Sequence, residues 1–381
     1  MRVLHVVEAI EGGLSRHVAQ VVANVPAEHH VALPTERVGG FTDTVAVDSM
    51  RDAGAELHVM SMRRRPTDPR NAVAIARVRR LIGDIRPDIV HGHSSIGGAA
   101  ARLGATGTGT PRVYTPNGIM TTRSALAVER ALGRLTDALV AVSETEADLA
   151  ARLRVASRDR IVTIPNGIEL DWEHPPVLDL RQQLGVDGDT PLVGTIARLA
   201  PQKAPEVFVR ACARVADELP DARFVLVGDG PLAELVAREI AAARLERRLL
   251  HLRGVHGAAT LLRQLDVFVL ASRYEGGPYA PLEAMRADTP VVLTDVVGSR
   301  DTIEDGCSGI LVPPDDPAAI ARAALRLLAD AALRETMIDA ARRRLRDRFD
   351  VREAGRRLGS LYESLAVQGR PRVPALPSSD N

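Results

Sequence analysis

The sequence predicts an α/β protein of two βαβ domains in series, each built on a parallel sheet. Short runs rich in Val, Ile and Leu alternate with longer segments whose apolar residues recur at three- and four-residue spacing. At 381 residues the chain exceeds one ordinary core. The alternation pauses at PNGIELDWEHPP, residues 165–176, where turn residues and two prolines suit a hinge or linker.

In the first half, segments 2–7, 30–33, 56–60, 89–91, 112–115, 138–142 and 161–164 read as strands. Between them, 14–25, 70–85 and 144–153 carry the helical spacing. After the hinge, strands at 192–196, 223–227, 249–252, 267–270, 291–294 and 310–312 alternate with helices at 205–218, 231–243 and 317–328. Two more helices, 331–348 and 351–366, close the fold. The expected domains are 1–170 and 171–345, followed by a terminal helix over 346–367 and a flexible Pro-, Ser- and Arg-rich tail over 368–381. Ligands of open parallel sheets bind beyond the carboxyl ends of the strands, so two such domains imply a cleft with its motifs at those ends.

Composition excludes several classes. Apolar residues at 45% and charged residues at 26% describe an ordinary globular chain, which argues against global disorder. Acidic and basic residues cancel at 49 each and aromatics are 3%, so neither a basic field nor stacking platforms point to nucleic acid. Cys212 and Cys307 have no ligand-like spacing, which fits a reducing cytoplasm and suggests neither a disulfide framework nor a zinc site. The opening MRVLHVVEAIEGG reads as a strand rather than a signal peptide. No apolar run approaches the ~20 residues that span a bilayer. Arg63-Arg64-Arg65 would suit peripheral contact with the inner face of a membrane, although a solvated loop explains the triplet better.

Of the 49 basic residues, Lys203 is the one lysine. An ammonium on a flexible stem holds phosphate as a point charge where a guanidinium forms a planar fork, so this position is a site candidate. It lies in GTIARLAPQKAP, residues 194–205, where a strand ends, Arg198 follows and a helix begins at Pro205. Together Arg198 and Lys203 could clamp a diphosphate; two surface ion pairs are the bland alternative. Glu11-Gly12-Gly13 opens the first helix and could offer N–H groups to an anion, but GxGxxG is absent. GDGP at 228–231 is explained by a turn, and Asp229 receives no chemical role. YEGGPYAPLEAM, residues 274–285, places Glu275 on a loop and Glu283 in the next helix. Paired carboxylates invite a glycoside-hydrolase reading, yet the eight-residue offset across a loop and helix suits two grips on one elongated anion such as a nucleotide-diphosphate sugar.

These stretches resemble family 4 of the retaining glycosyltransferases over nearly the whole chain: ARLAPQK, GDGPLAEL at 228–235, EGGPYAPLEAM, and TDVVGSRDTIEDGCSGILVPPDD at 294–316. The resemblance implies the GT-B fold, two Rossmann-like domains facing each other across a cleft, with the terminal helix crossing back to the first. It implies that Arg198 and Lys203 bind the donor diphosphate and that Glu283 holds the ribose. Glu275 and the backbone of Gly276, Gly277, Pro278, Tyr279 and Ala280 would position the sugar, while Gly13 meets the phosphate from the first domain. It further implies a hexosyl transfer with retention, no bound metal or other cofactor, and no covalent nucleophile. The favoured donor is UDP-linked, with GDP-linked as the other option; the acceptor hydroxyl belongs to a saccharide, a lipid-linked sugar or a small molecule.

The chain departs from the family at one place. The family commonly has His-Gly after the strand at 112–115, where this chain has Asn117-Gly118. Asparagine exchanges hydrogen bonds but does not titrate near neutrality, so Asn117 is expected to orient the sugar without proton transfer. His93, in HGHSS, is a further candidate sugar or acceptor contact; a structural hydrogen bond explains it equally well. Loops 39–43, 60–68 and 119–123 are expected to shape the acceptor site. A sugar-nucleotide epimerase on the same architecture and a nucleotide-sugar-binding protein without turnover remain the alternatives.

Overall fold

The computed structural model describes residues 1–34, 43–63, 65, 67–172 and 174–368. Most of the loop expected at 39–43, Arg64 and Pro66 of the loop at 60–68, and the tail beyond Gln368 lie outside the described residues. The chain divides into two compact units, one of residues 1–166 completed by the last helix, the other Gly167–Asp350.

The first unit runs β1 (Arg2–Val7), α1 (Gly12–Asn24), β2 (Glu28–Leu33), α2 (Thr44–Asp52), β3 (Glu56–Val59), α3 (Arg70–Ile85), β4 (Ile89–His93), α4 (Ser95–Gly104), β5 (Arg112–Thr115), α5 (Arg123–Gly133), β6 (Ala138–Ala141), α6 (Glu144–Arg152) and β7 (Ile161–Thr163). All seven strands are parallel, in the order β3-β2-β1-β4-β5-β6-β7. The order reverses between β1 and β4, which opens a crevice at their carboxyl ends.

Both faces of this sheet are covered, as parallel strands require. On one face Val3, Ile89 and Val113 pack with Leu358, Leu361, Tyr362 and Leu365; on the other Leu4, Val6 and Val90 pack with Val78, Ile82 and Ala101. Helix α4 sits close because Gly92, Gly97 and Gly98 lack side chains. A β-carbon on Gly97 would lie 2.7 Å from the Val6 carbonyl oxygen, and one on Gly98 would lie 2.3 Å from the Tyr114 ring.

The second unit runs α7 (Leu180–Leu184), β8 (Leu192–Ile196), α8 (Pro205–Glu218), β9 (Arg223–Val227), α9 (Ala233–Ala242), β10 (Leu249–Leu252), β11 (Val267–Leu270), α10 (Tyr279–Arg286), β12 (Val291–Thr294), α11 (Ser299–Thr302), β13 (Ile310–Val312), α12 (Pro317–Ala329) and α13 (Ala331–Arg348). Its six parallel strands follow the order β10-β9-β8-β11-β12-β13, so β8 and β11 flank the reversal. Helix α14 (Val351–Gln368) belongs to the first unit, where the Tyr362 hydroxyl and His91 Nδ1 are 2.5 Å apart.

The six strands expected after the hinge occur with the expected bounds. Differences cluster in the first unit. The strand expected at 89–91 extends to His93, because Gly92 and His93 pair with Val6 and Val7 on one side and with Tyr114 and Thr115 on the other. Helices α2, α4 and α5 fill stretches that showed no clear helical spacing. Asp43 starts α2 by accepting the Ala46 N–H at 3.1 Å. The N-terminus of α4 is capped from outside by Glu8, whose carboxylate accepts the Ile96 and Gly97 N–H groups. No described helix is long and apolar enough to cross a membrane.

Candidate functional site

In the second unit, the expected donor residues gather at the reversal between β8 and β11. The chain leaves β8, passes Arg198 and enters a short 3-10 turn, Pro201–Lys203. Ala204 takes φ +46° and α8 starts at Pro205. The backbone of this loop is clamped by the turn after β9: Leu199 N–H donates to the Asp229 carbonyl at 2.8 Å, and Leu232 N–H donates to Leu199 at 2.9 Å. The two turn glycines make that approach possible. A β-carbon on Gly228 would lie 1.9 Å from the Ala197 oxygen, and one on Gly230 2.5 Å from the Leu199 oxygen. The glycines of GDGP therefore serve packing, and Asp229 pairs with the exposed Arg253 at 2.8 Å.

Beyond β11, Glu275 is buried at 6% exposure. Its Oε1 accepts from Lys203 Nζ at 2.5 Å and from Ser272 Oγ at 2.5 Å, and its Oε2 lies 3.4 Å from Gln202 Nε2. The structure thus joins Lys203 directly to Glu275, two residues to which the family resemblance gives separate partners. The carboxylate is compensated by charge and hydrogen bonds, as burial demands. Gly276, Gly277 and Pro278 then lead into α10, with Pro278 at the cap and Tyr279 as the first helical residue. Pro278 itself offers no side-chain cap to α10, whose N-terminus faces the Gly276-Gly277 loop. Glu283 lies half-buried within α10, and Arg198 is half-buried after β8. A β-carbon at Gly298, φ +81°, would lie 2.4 Å from the Gly276 oxygen, so the turn after β12 supports the Gly276-Gly277 loop from beneath.

Arg273 was not singled out from the sequence, yet it joins both sides of this site. Its guanidinium donates to the Pro201 carbonyl at 2.8 Å, Glu206 at 2.6 Å and Asp315 at 2.8 Å, and its backbone N–H donates to Gln202 at 2.8 Å. The hydrogen bond it donates to Asp315 is the main reason its pKa rises above the usual arginine value. A forked cation with several acceptors on different loops is a role lysine could not fill.

In the first unit, Gly13, His93 and Asn117 occupy the ends of three adjacent strands. Gly13 is the second residue of α1, after Gly12 at φ +56°. His93 ends β4, directly opposite Val7 of β1 and Thr115 of β5. Asn117 adopts φ +53°, a left-handed conformation that asparagine tolerates better than most residues, which gives it a conformational reason beside any contact. The adjoining Gly118 N–H donates to Glu146 Oε1 at 2.6 Å, while Glu146 Oε2 accepts the Val142 N–H at 2.9 Å. Glu146 is fully buried and ties the Asn117 loop to the end of β6. Asn117 Nδ2 is buried without a hydrogen-bond partner among the described residues.

His93 belongs to a buried group with His5, His17, His29 and His91. The His5 and His93 rings lie 5.3 Å apart, His17 and His93 5.3 Å, and His91 and His93 4.0 Å. Desolvation holds His5, His91 and His93 well below the ordinary histidine range, and brings His17 to about 4. The sequence signal was present: His91 and His93, two apart, must share one face of a strand.

Among the described residues, two groups could bring three ligand atoms to a metal: His5 with His91 and His93, and His30 with Glu56 and His58. The first fits poorly, because both ring nitrogens of His5 and both of His91 already have protein hydrogen-bond partners. The second is a half-open group on β2 and β3, with His30 Nδ1 3.1 Å from His58 Nε2.

The family model for glycosyl transferases group 1 matches residues 177–344, and that for Glycosyltransferase Family 4 matches residues 11–172. The chain is 31% identical over 316 residues to a D-inositol 3-phosphate glycosyltransferase of Xylanimonas cellulosilytica, covering 74% of this chain and 73% of that protein. It is 28% identical to the UDP-Gal:alpha-D-GlcNAc-diphosphoundecaprenol alpha-1,3-galactosyltransferase of Escherichia coli, covering 76% and 78%. Among solved structures, Anabaena HepE in complex with UDP and glucose superposes with TM-score 0.82 at 21% identity, over 96% of this chain and all of that one. A sucrose-phosphate synthase from Thermosynechococcus elongatus superposes with TM-score 0.81 at 20% identity, over 96% and 98%. At such identities the likeness shows the fold, GT-B with two Rossmann-like domains.

Proposed function

Since the chain belongs to the glycosyltransferases of group 1 and family 4, we propose that it is a retaining hexosyltransferase moving a sugar from a UDP-linked donor to a hydroxyl acceptor. The observation that carries the reading is the Lys203–Glu275 pair at the reversal point of the second sheet, beside the start of α10. The only lysine of the chain stands where an incoming diphosphate would meet a cation, held by Glu275, at the start of a helix. Arg198 adds a second cation, and Glu283 within α10 is assigned the ribose hydroxyls. These groups would stabilise the departing diphosphate without a metal.

Retention without a covalent intermediate suits Glu275. Its carboxylate is occupied by Lys203 and Ser272, which makes it a positioned anion and a poor nucleophile. The UDP preference is supported by the names of the galactosyltransferase relative and the HepE complex. The relatives' printed acceptors differ, so the product is left as a polysaccharide, a glycolipid or a glycosylated metabolite.

A thermal-shift screen of the full chain against UDP- and GDP-sugars tests the donor, since a ligand that binds the folded state stabilises it by mass action. Stabilisation by one or more UDP-sugars is expected, and release of UDP with an acceptor panel should follow. Epimerised sugar nucleotide formed with no acceptor present would overturn the transferase reading.

A further inference from the structure

Three imidazoles form a hydrogen-bonded row across the first sheet. His29 Nε2 lies 2.8 Å from the Val25 carbonyl oxygen, His29 Nδ1 lies 3.0 Å from His5 Nε2, and His5 Nδ1 lies 3.1 Å from His93 Nε2. A carbonyl only accepts, so His29 carries its proton on Nε2 and accepts at Nδ1. His5 must then donate from Nε2 and accept at Nδ1, which requires His93 to donate from Nε2. A neutral ring has one N–H, so His93 Nδ1 is a bare lone pair. Neutrality is secured by desolvation, which lowers the pKa of each of the three rings. The Nδ1 atom of His93 is buried and has no hydrogen-bond partner among the described residues.

We propose that this row is a tautomer relay, anchored at the Val25 carbonyl, that fixes His93 as the hydrogen-bond acceptor for a substrate hydroxyl at the ends of β1 and β4. His93 ends β4 at the reversal of the strand order, where ligands of such sheets sit. Beside it, His17 Nδ1 donates to Asn166 Oδ1 at 2.9 Å, so its Nε2, also buried without a partner, is a second acceptor. Beyond the end of the neighbouring β5, Asn117 Nδ2 is a donor without a partner. A hydroxyl both donates and accepts, and so suits this mixed set. A phosphate would meet two lone pairs, and a cation would meet an amide N–H. His29 and His5 are positioning residues that act through His93. The hydroxyl rests on the glycosyltransferase reading, whereas the tautomer assignment does not.

Isotope labelling of histidine and long-range proton–nitrogen NMR of the full chain at about pH 7.5 read each tautomer directly. The expected result is His93 protonated on Nε2, in at least about tenfold excess over Nδ1, the ratio that one net hydrogen bond can impose. His93 protonated on Nδ1, or an even mixture, overturns the relay. His29→Gln keeps an amide N–H for Val25 and an oxygen for His5, so the tautomer should persist; His29→Leu removes the anchor, and the excess should collapse toward an even mixture. An unchanged His93 in His29→Leu, or a changed one in His29→Gln, also overturns it, and wild type with His29→Gln decides the matter should the leucine variant not fold.

UDP, UDP-glucose, and myo-inositol with UDP then probe the hydroxyl. A His93 Nδ1 shift with UDP-glucose but not UDP assigns it to the donor sugar, and a shift only with the polyol assigns it to the acceptor. No shift while UDP-glucose raises the melting temperature overturns the hydroxyl site. If no UDP- or GDP-sugar raises the melting temperature, the donor reading fails while the tautomer result stands.

Discussion

Acidification should loosen the first unit, and His17 sets the scale. Desolvation brings its pKa from 6.5 to about 4, against the weaker opposing effect of its hydrogen bond to Asn166. The folded value is depressed, so the unfolded chain takes up this proton first as pH falls. The stability is therefore complete above about pH 6.5 and is lost progressively toward pH 4. Between pH 7.5 and 5 the linkage relation gives a loss of about 2 kcal/mol from this residue alone. His5, His91 and His93 shift in the same direction, so the measured loss should be larger. The groups facing them, other imidazoles, Asn166, Thr115 and the Tyr362 hydroxyl, offer little to hold a charged ring. Hydrogen exchange of the β1 and β4 amides, corrected for the intrinsic pH dependence, reports this unit separately. Asparagine at position 17 retains a side-chain N–H without titrating, so His17→Asn should flatten the pH slope by about 2 kcal/mol over the same interval. A wild-type slope near zero, or an unchanged slope in His17→Asn, would refute the reasoning.

Other expectations concern the second unit and Asn117. Lys203→Ala leaves a buried carboxylate without its cation; a penalty of about 3–5 kcal/mol in urea unfolding is expected, together with lost sugar-nucleotide affinity. Lys203→Arg separates charge from shape, and equal donor affinity in that variant would remove the special role of the ammonium. Glu283→Gln should weaken nucleotide binding by about 10- to 100-fold in titration calorimetry, the worth of one charge-assisted hydrogen bond, whereas Glu275→Gln should chiefly lower turnover. Gly298→Ala places a β-carbon 2.4 Å from the Gly276 oxygen at φ +81°, and should cost about 1–3 kcal/mol and lower donor affinity by displacing the loop. Asn117→Ala should lower turnover and leave nucleotide affinity intact; unchanged kinetics would show that the residue serves only its backbone conformation.

The second unit was the more legible in sequence. Its strands are mostly apolar runs between turn residues, and Lys203, Glu275 and Glu283 stand in the motif stretches that follow β8 and β11. What escaped reading there depends on distant partners, as when Arg273 meets Glu206 and Asp315. The first unit hid more. His91-Gly92-His93 looks polar, and only the pairing of His5 with His91 in the sheet shows that these imidazoles share a dry interior. Helix α4 was obscured because its glycines answer to close packing on β1 and Tyr114 rather than to helical propensity. Nothing in the sequence marks Glu8 or Glu146, whose backbone partners are brought near only by the sheet.

The first unit is finished by α14, and this has a consequence for its synthesis. His91 and Tyr362 are 271 residues apart in the chain, with the whole second unit between them. At about 5–20 residues per second, the apolar face that receives Leu358, Leu361 and Leu365 waits roughly 15–55 s on the ribosome for its cover. The second unit, continuous from Gly167 to Asp350, has no such wait. A nascent chain halted before Val351 would therefore carry one unit able to close its core and one still exposing Val3, Ile89 and Val113, which makes the earlier-made unit the later to mature and the natural client of a chaperone.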